Sequence, residues 1–207
     1  MSLNRLLTAR RTVSQEDNTD GLTRKELEYV FFLKANDLSQ LDRCTSEEMQ
    51  EQWTIFIEPT TYNPNKGQVR VRSIDKRKFI LTNKVVQPDG SRNENELEVT
   101  KEFYEQFKLL APDGFRKRRC RFPVTGTDLV WEVDLFYDHN GNPVDWVKLD
   151  LEVPEPLDSI PEFPITYSQA IINQPGKRTM EEEVIVRQLF EKEYSLWDKD
   201  SLETLSR

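Results

Sequence analysis

The chain has 207 residues and a formal net charge of -8, with 32% charged and 36% hydrophobic residues. This length suits one domain with appendages, and the acidic balance argues against a general nucleic-acid binder, which needs a cationic surface. Only Cys44, Cys120 and His139 offer thiol or imidazole groups, so neither a disulfide framework nor a Cys/His zinc site can be assembled. No apolar run of about 18 residues occurs, which predicts a soluble, cytoplasmic protein.

Residues 1–23 have little periodicity and are predicted to form an N-terminal arm that is loose or partly helical. Residues 24–207 are predicted to form a single domain, which opens on Lys25-Glu26-Leu27-Glu28-Tyr29-Val30-Phe31-Phe32-Leu33-Lys34. A period of two predicts a strand with Glu26 and Glu28 on one side and Leu27, Tyr29 and Phe31 on the other. Taken alone, such a strand is typical of a solvated acidic face.

The next predicted elements are a short helix and several strands. Thr45-Ser46-Glu47-Glu48 resembles a capped helix start, which predicts a helix running toward Trp53, with a strand following over residues 54–58. Residues 59–67 are rich in proline, asparagine and glycine and predict a turn. Strands over residues 67–73 and 79–86 then place Arg70 with Arg72, and Thr82 with Lys84, on one face.

Glutamates at 94, 96 and 98 alternate with apolar residues before a helix predicted over residues 100–110, which would bury Phe103, Phe107 and Leu110. Strands are predicted over residues 115–124, 129–137 and 146–153, and each again carries charge on one side. The Asn-Gly pair between the last two strands predicts a hairpin turn. That turn would hold His139 in solvent rather than in a catalytic arrangement.

An extended, mobile connection is predicted over residues 154–177 from Pro154, Pro156, Pro161 and Pro164. Thr179 and Glu182 form a capping pair, which predicts a C-terminal helix over residues 178–198. Its packing stripe would be Ile185, Leu189 and Leu196.

The charges segregate by strand when they are collected by face. Closing about eight antiparallel strands into a barrel would remove the sheet edges, line the lumen with charge and turn the apolar faces toward flanking helices. The predicted fold class is therefore α+β, with a closed or nearly closed antiparallel β-barrel. Buried charges of one sign need neutralising, by a divalent cation for carboxylates and a polyanion for arginine and lysine. Ligation by oxygen alone favours Mg²⁺ or Mn²⁺, so the predicted ligand is a metal-bound polyphosphate.

The order of these motifs resembles the CYTH, or triphosphate tunnel metalloenzyme, family over roughly residues 25–153. Glu26-Leu27-Glu28 is similar to the N-terminal Glu-x-Glu strand of that family, and Asp150-Leu151-Glu152 to its late Glu-x-Glu pair. The motifs between them follow in family order: Arg70-Val71-Arg72, Leu81-Thr82-Asn83-Lys84, the glutamates from Glu94 to Glu98, Arg116-Lys117-Arg118-Arg119-Cys120-Arg121, and Trp131-Glu132-Val133-Asp134. Val30 stands where the family has lysine, and Asp150 where glutamate is more usual.

The resemblance implies a role for each group of charges. A first Mg²⁺ or Mn²⁺ ion would be held by Glu26, Glu28, Asp150 and Glu152. The phosphates would be clamped by Arg70, Arg72, Lys84, Lys117, Arg119 and Arg121. The remaining carboxylates, Glu96, Glu98 and Asp134, would contribute to a second metal or position the attacking water. The implied reaction is in-line attack of water on the terminal phosphorus.

Three functions remain open on these grounds. The leading one is metal-dependent hydrolysis of an inorganic or nucleoside-linked triphosphate, and an adenylyl cyclase on the same scaffold is an alternative. A non-catalytic polyphosphate or nucleotide binder is the other alternative, motivated by Val30. The expected partner is a small molecule that contains a triphosphate, with an RNA 5′-triphosphate end as the one nucleic-acid case. A monomer or homodimer without a membrane partner is expected.

Overall fold

The computed structural model describes residues 10–14, 25–61, 66–86, 92–138, 140–172, 179–182 and 184–186. Ten strands in these ranges form one sheet in the order β1-β6-β5-β4-β3-β7-β8-β9-β2-β10. The strands are β1 (Arg10–Ser14), β2 (Lys25–Ala35), β3 (Ser46–Ile57), β4 (Gly67–Ile74), β5 (Lys78–Val86), β6 (Arg92–Glu98), β7 (Asp113–Pro123), β8 (Val130–Tyr137), β9 (Pro143–Val153) and β10 (Tyr167–Ile172). The predicted antiparallel sheet is thus confirmed, with more than the eight strands expected.

Few helices accompany the sheet. A 3-10 helix spans Leu38–Arg43, helix α1 spans Lys101–Leu110, and a C-terminal helix is described at residues 180–182 and 184–186. Its predicted cap is confirmed, because the Thr179 amide donates to Glu182 and the Glu182 amide donates to the Thr179 hydroxyl. Leu189 and Leu196 lie outside the described residues, as does His139. No helix in the described ranges has the length and apolar character needed to cross a bilayer.

Strand β1 lies in the arm that was predicted to be loose or partly helical, so that prediction is wrong for residues 10–14. Arg10 of β1 lies opposite Glu28 of β2 in an antiparallel pairing, and Val13 lies opposite Asn93 of β6 in a parallel pairing. The segment is extended because two distant strands offer it hydrogen-bond partners, which no local pattern reveals. Residues 1–9 and 15–24 lie outside the described part of the chain.

The helix predicted from Thr45 toward Trp53 is also wrong, because β3 occupies residues 46–57. This strand pairs with β4 on one side and β7 on the other, and its buried residues include Gln50, Gln52 and Thr54. Both of its faces carry polar residues, so the usual apolar alternation of a strand is hidden. The capping pattern at Thr45 to Glu48 predicts a helix, but hydrogen bonding to the two neighbouring strands outweighs that local preference.

The apolar faces of β2, β7, β8 and β9 form the main hydrophobic core. Phe31, Trp131 and Leu149 are at most 1% exposed there, and Phe163 from the proline-rich segment packs on Phe31 at 5.0 Å and on Trp131 at 5.4 Å between ring centroids. The Trp131 indole also donates to the Glu162 carbonyl at 3.2 Å. The segment after residue 153 therefore docks on the sheet. It includes β10, which the sequence did not predict because prolines surround a short, non-alternating run.

Helix α1 covers a second apolar cluster on β3, β4 and β5. Its cap is Thr100, whose hydroxyl accepts the Phe103 amide. The buried residue is Tyr104, packed on Phe79 at 5.1 Å, whereas Phe103 is 42% and Leu110 75% exposed. The predicted helix is confirmed, but burial of Phe103 and Leu110 is wrong. The helix packs on the sheet through Tyr104 and the partly buried Phe107, while Phe103, Leu109 and Leu110 stay exposed.

A third apolar cluster lies on the sheet face opposite the main core, at one end of that face. It contains Val30, Phe32, Phe136 and Trp146. Val186 of the C-terminal helix packs into it and is 2% exposed. Val30 is therefore a packed side chain in this protein, and the cluster fills the end of the face on which the charged residues lie.

We expect Tyr104→Ala to lower the free energy of unfolding by about 3 to 5 kcal/mol, because it removes a buried aromatic ring from between α1 and the sheet. Leu110→Ala, on the same helix and 75% exposed, should change it by less than about 0.5 kcal/mol. Urea unfolding followed by circular dichroism measures both variants. Equal losses would contradict the packing of α1 through Tyr104.

Candidate functional site

Strand pairing brings the predicted site residues onto one side of the sheet, which we call the charged face. Its members are Glu28, Glu48, Arg70, Arg72, Lys84, Glu94, Glu96, Glu98, Lys117, Arg119, Arg121, Glu132, Asp134, Lys148, Asp150 and Glu152. The register sets this arrangement, since Glu28 lies opposite Glu152 and Asp150 lies opposite Glu132. The backbone register puts Glu26 on the same face, but its side chain lies outside the described part of the structure.

Much of the charged face is withdrawn from solvent. Lys117 is 2% exposed, Asp134 is fully buried, and Lys148 and Asp150 are each 5% exposed. A polar face of an ordinary open sheet would leave these side chains in water. These four residues therefore do not form an ordinary solvated face. Glu96, Glu98 and Glu152 remain exposed.

Asp134 is the centre of the ion-pair network on the charged face. One carboxylate oxygen accepts from Arg119 at 2.7 Å, and the other accepts from Lys117 at 2.7 Å and from Arg119 at 2.8 Å. Burial opposes ionisation, but the charges of Arg119 and Lys117 outweigh it and hold the pKa of Asp134 well below its ordinary value. Asp134 is therefore a carboxylate that fixes two cations in place.

The acidic and basic strands neutralise each other across their shared edges. Glu132 pairs with Arg119 and, at 3.0 Å, with Arg121, whose guanidinium also lies 3.2 Å from Glu48. Elsewhere on the charged face, Arg72 lies 3.3 Å from Glu96. Segregation of sign by strand thus produces cross-strand pairs, so these charges are balanced internally as well as being available to a ligand.

Arg70, Lys84 and Glu94 form a second ion-pair group on β4, β5 and β6. Glu94 lies 3.2 Å from Arg70 and 2.7 Å from Lys84. Burial, with the charge of Arg70 adding to it, lowers the pKa of Lys84 to about 8, although Glu94 opposes the shift. Lys84 therefore begins to lose its positive charge just above neutral pH.

Asp150 lies where carboxylates gather near β2 and β9. Lys148 is 2.6 Å from one of its oxygens, and the other oxygen is buried without a hydrogen-bond partner in the described structure. Burial raises the pKa of Asp150 to about 8, and the neighbouring charges of Glu28 and Asp134 add to the effect while Lys148 opposes it. A carboxylate that is destabilised by burial and by other carboxylates is one that a cation would stabilise.

Six buried side-chain polar atoms in the described residues lack a hydrogen-bond partner, and five lie on this side of the sheet. They are the Nε donors of Arg70 and Arg72 and the acceptor oxygens of Gln50, Gln52 and Asp150. Such atoms are costly unless a ligand satisfies them. The two glutamines and Glu48 were missed from the sequence because β3 was predicted as a helix. Their period-two spacing was the signal that could have found them.

The donor set fits a hard divalent cation. Glu28, Asp150 and Glu152 offer only oxygen atoms, and β2 and β9 bring them side by side. Magnesium and manganese prefer such ligands, and the unpartnered Asp150 oxygen is oriented by a buried strand. The residue types therefore suit either ion, although the three carboxylates do not lie within 4.8 Å of one another in the described structure.

Comparisons with known proteins give similar structures but no sequence relative. No family model matches, and no curated protein matches. Solved structures that resemble the chain include the inorganic triphosphatase NE1496, with 15% identity, a TM-score of 0.39, and coverage of 61% of this chain and 74% of that chain. Another is the proposed adenylyl cyclase HpAC1 from Hippeastrum, which has a dominant triphosphatase activity, with 13% identity, a TM-score of 0.41, and coverage of 83% and 88%.

A third similar structure is PH1819 from Pyrococcus horikoshii, with 15% identity, a TM-score of 0.38, and coverage of 87% of this chain and 99% of that chain. At these TM-scores the function of this chain has to be argued from its own residues.

We expect Asp134→Asn to destabilise the protein by about 3 to 5 kcal/mol, because it leaves Lys117 and Arg119 without their buried counter-charge. Glu98→Gln makes the same change of charge at an exposed position of the same face and should cost less than about 0.5 kcal/mol. Chemical unfolding at pH 7 measures both. Comparable stability of the two variants would show that Asp134 is not the centre of the network.

The lowered pKa of Lys84 predicts a pH dependence of stability. Between pH 8 and about 10 the unfolded chain keeps a proton on this lysine that the folded chain has lost, so stability rises with pH by up to about 1.4 kcal/mol per unit. Arginine at this position stays charged throughout. The stability of the wild type relative to Lys84→Arg should therefore increase from pH 8 to pH 10 in urea titrations, and a constant difference would contradict the shift.

Proposed function

We propose that the charged face binds a metal-complexed triphosphate and hydrolyses it. The observation that carries this proposal is that buried donors and acceptors without hydrogen-bond partners lie together on one face. The donors are the Nε groups of Arg70 and Arg72, and the acceptors are side-chain oxygens of Gln50, Gln52 and Asp150. A phosphate chain supplies acceptors for the arginines. A hydrated divalent cation supplies donors and positive charge for the acceptor oxygens.

The shape of the site is part of the proposal. We infer that β1, which pairs with both β2 and β6, closes the sheet into a tunnel around the charged face. Burial of Asp134 and Lys117 supports that closure. The apolar cluster around Phe32, Phe136 and Trp146 would block one end, so the phosphate chain would enter from the end at which Glu96 and Glu152 are exposed.

Each group of residues has a distinct task in this proposal. Arg70, Arg72 and Lys84 would bind phosphate oxygens, while Lys117, Arg119 and Arg121 supply positive charge held in place by Asp134 and Glu132. These cations would stabilise the charge that spreads over the equatorial oxygens in the transition state. A Mg²⁺ or Mn²⁺ ion at Glu26, Glu28, Asp150 and Glu152 would supply further neutralisation of the phosphates.

The reaction would be an in-line displacement at the terminal phosphorus. The oxygen of a water forms the new bond to phosphorus, and the bond to the bridging oxygen breaks, so that tripolyphosphate yields orthophosphate and diphosphate. The proton of the water would pass to a carboxylate. Glu96 and Glu98 are the candidates, because both oxygens of Asp134 accept from cations, whereas Arg72 and Thr82 contact the same single oxygen of Glu96. Glu96 accepts from Thr82 at 2.9 Å, which fixes one of its oxygens.

A non-catalytic polyphosphate binder is the second candidate function. The observation that favours it is the extent of internal pairing, since Asp134 and Glu132 are both engaged by cations. Val30, buried in the apolar cluster, also contributes no charge to the face. A binder needs the cations but no free carboxylate, which gives the two candidates different requirements.

The deciding experiment incubates the purified full chain with tripolyphosphate, ATP or thiamine triphosphate in the presence of Mg²⁺ or Mn²⁺, and measures phosphate and cyclic nucleotide. We expect phosphate release that Glu152→Gln lowers at least about 100-fold. Glu155→Gln, nearby, exposed and outside the charged face, should leave the rate unchanged. Tripolyphosphate binding without turnover under every metal condition would establish the binder, and cyclic nucleotide as the main product would establish a cyclase.

Tripolyphosphate affinity tests the phosphate contacts separately. Arg70→Gln should weaken binding about tenfold or more in calorimetric titrations, because it removes a buried charged donor. Arg77→Gln removes the same charge from an exposed turn and is the matched control. Equal affinities for the two variants would contradict a phosphate site at β4.

A further inference from the structure

The two cysteines of the chain meet on the side of the sheet away from the charged face. Cys120 lies in β7 between Arg119 and Arg121, so its side chain points to the opposite side of the strand. Cys44 follows the 3-10 helix, and its amide donates to the Leu41 carbonyl at 3.2 Å. The next residue, Thr45, donates its amide to the Arg121 carbonyl at 2.9 Å, which fixes this end of the helix against β7.

The two sulfur atoms are close enough to react. Both Sγ atoms and a carboxylate oxygen of Glu47 lie within 4.8 Å of one another, and both cysteines are free thiols. A disulfide needs sulfur atoms about 2.05 Å apart on Cβ atoms about 3.5 to 4.5 Å apart, so the two sulfurs have to move closer for the bond to form. Cys44 is half-buried and can meet a reagent, whereas Cys120 is fully buried.

We propose that Cys44 and Cys120 form a reversible intramolecular disulfide by exchange with a low-molecular-weight disulfide such as oxidised glutathione. The Cys44 thiolate attacks one sulfur of the reagent, its disulfide bond breaks, and one glutathione thiolate leaves. Cys120 then attacks the Cys44 sulfur of the mixed disulfide and releases the second glutathione. Two protein thiols are oxidised, one glutathione disulfide is reduced to two thiols, and the two protons pass to the leaving thiolates.

The surroundings favour a disulfide over a metal site. Glu47, the third member of the cluster, accepts from Arg118 at 2.6 Å, so a guanidinium already neutralises the carboxylate and would repel a cation. Burial also raises the pKa of Cys120 to about 12, so this thiol has to give up its proton, to the departing glutathione thiolate, as it attacks the mixed disulfide. Cys120 reacts only with the mixed disulfide on Cys44. The more exposed Cys44 therefore reacts first and the buried Cys120 second.

The bond would join the start of β3 to β7 and close a loop of roughly 75 residues. Cross-links over loops of this length lower the entropy of the unfolded chain, so the oxidised protein should melt roughly 5 to 15 °C above the reduced protein. The charged face lies on the other side of β7, so this prediction does not depend on the proposed function.

The test treats the full chain with oxidised glutathione at pH 8, and then measures intact mass, reactive thiols and melting temperature. We expect a protein lighter by two hydrogen atoms, without reactive thiols, with a peptide map linking Cys44 to Cys120, and restored by dithiothreitol. Cys120→Ser should instead carry one glutathione on Cys44. Cys44→Ser should remain unmodified, and neither variant should show the rise in melting temperature.

Three results would overturn the proposal. One is wild type that retains both thiols after this treatment, and another is wild type that stops at one glutathione on Cys44. The third is loss of thiol reactivity that a chelator reverses and dithiothreitol does not, which would assign the cluster to a metal. Circular dichroism of both serine variants shows whether each folds, and a fold retained by Cys120→Ser keeps the mass measurement decisive.

Discussion

Ion pairs between neighbouring strands of opposite charge stabilise the charged face of this sheet. In most proteins such a face would be either exposed to solvent or apolar. Asp134 bonds to Lys117 and Arg119 within a buried environment, and Glu132 extends the network to Arg121. Burying these charges costs more than their mutual attraction returns unless every partner is in place. The register of β7 against β8 is therefore constrained as strongly by charge as by packing, since a slip of one residue would leave several ions unpaired.

The rest of the architecture follows from this placement of charged residues on a partly buried face of the sheet. With charge on one face, the apolar residues of β2, β8 and β9 turn to the other, where Trp131 packs with Phe163 of the proline-rich segment. Helix α1 covers the apolar residues of β3 to β5 through Tyr104. The apolar core is thus divided into thin layers on one face of the sheet, while ion pairs take up much of the other face.

The same network explains how a ligand could be accepted. Cations held by Asp134 and Glu132 are already positioned, so a phosphate would meet donors that need little reorganisation. The unpartnered atoms of Arg70, Arg72 and Asp150 mark where protein groups leave bonding capacity for a ligand. The deeply buried pairs therefore fix the geometry of this face, while the incompletely satisfied groups are the ones that a ligand would contact in the proposed function.

Alternation within Glu26 to Leu33, Lys117 to Arg121 and Asp150 to Val153 was enough to predict strands, their charged faces and most candidate site residues, because a period of two is a local property of the backbone. Tertiary structure decided what local pattern could not. Strand β3 became a strand because β4 and β7 flank it, and Gln50 and Gln52 joined the site with it. Asp134 became a structural anchor because Lys117 and Arg119 converge on it. Cys44 and Cys120 met because a 3-10 helix ends beside β7, since the partners of a long-range contact are set by packing and not by spacing along the chain.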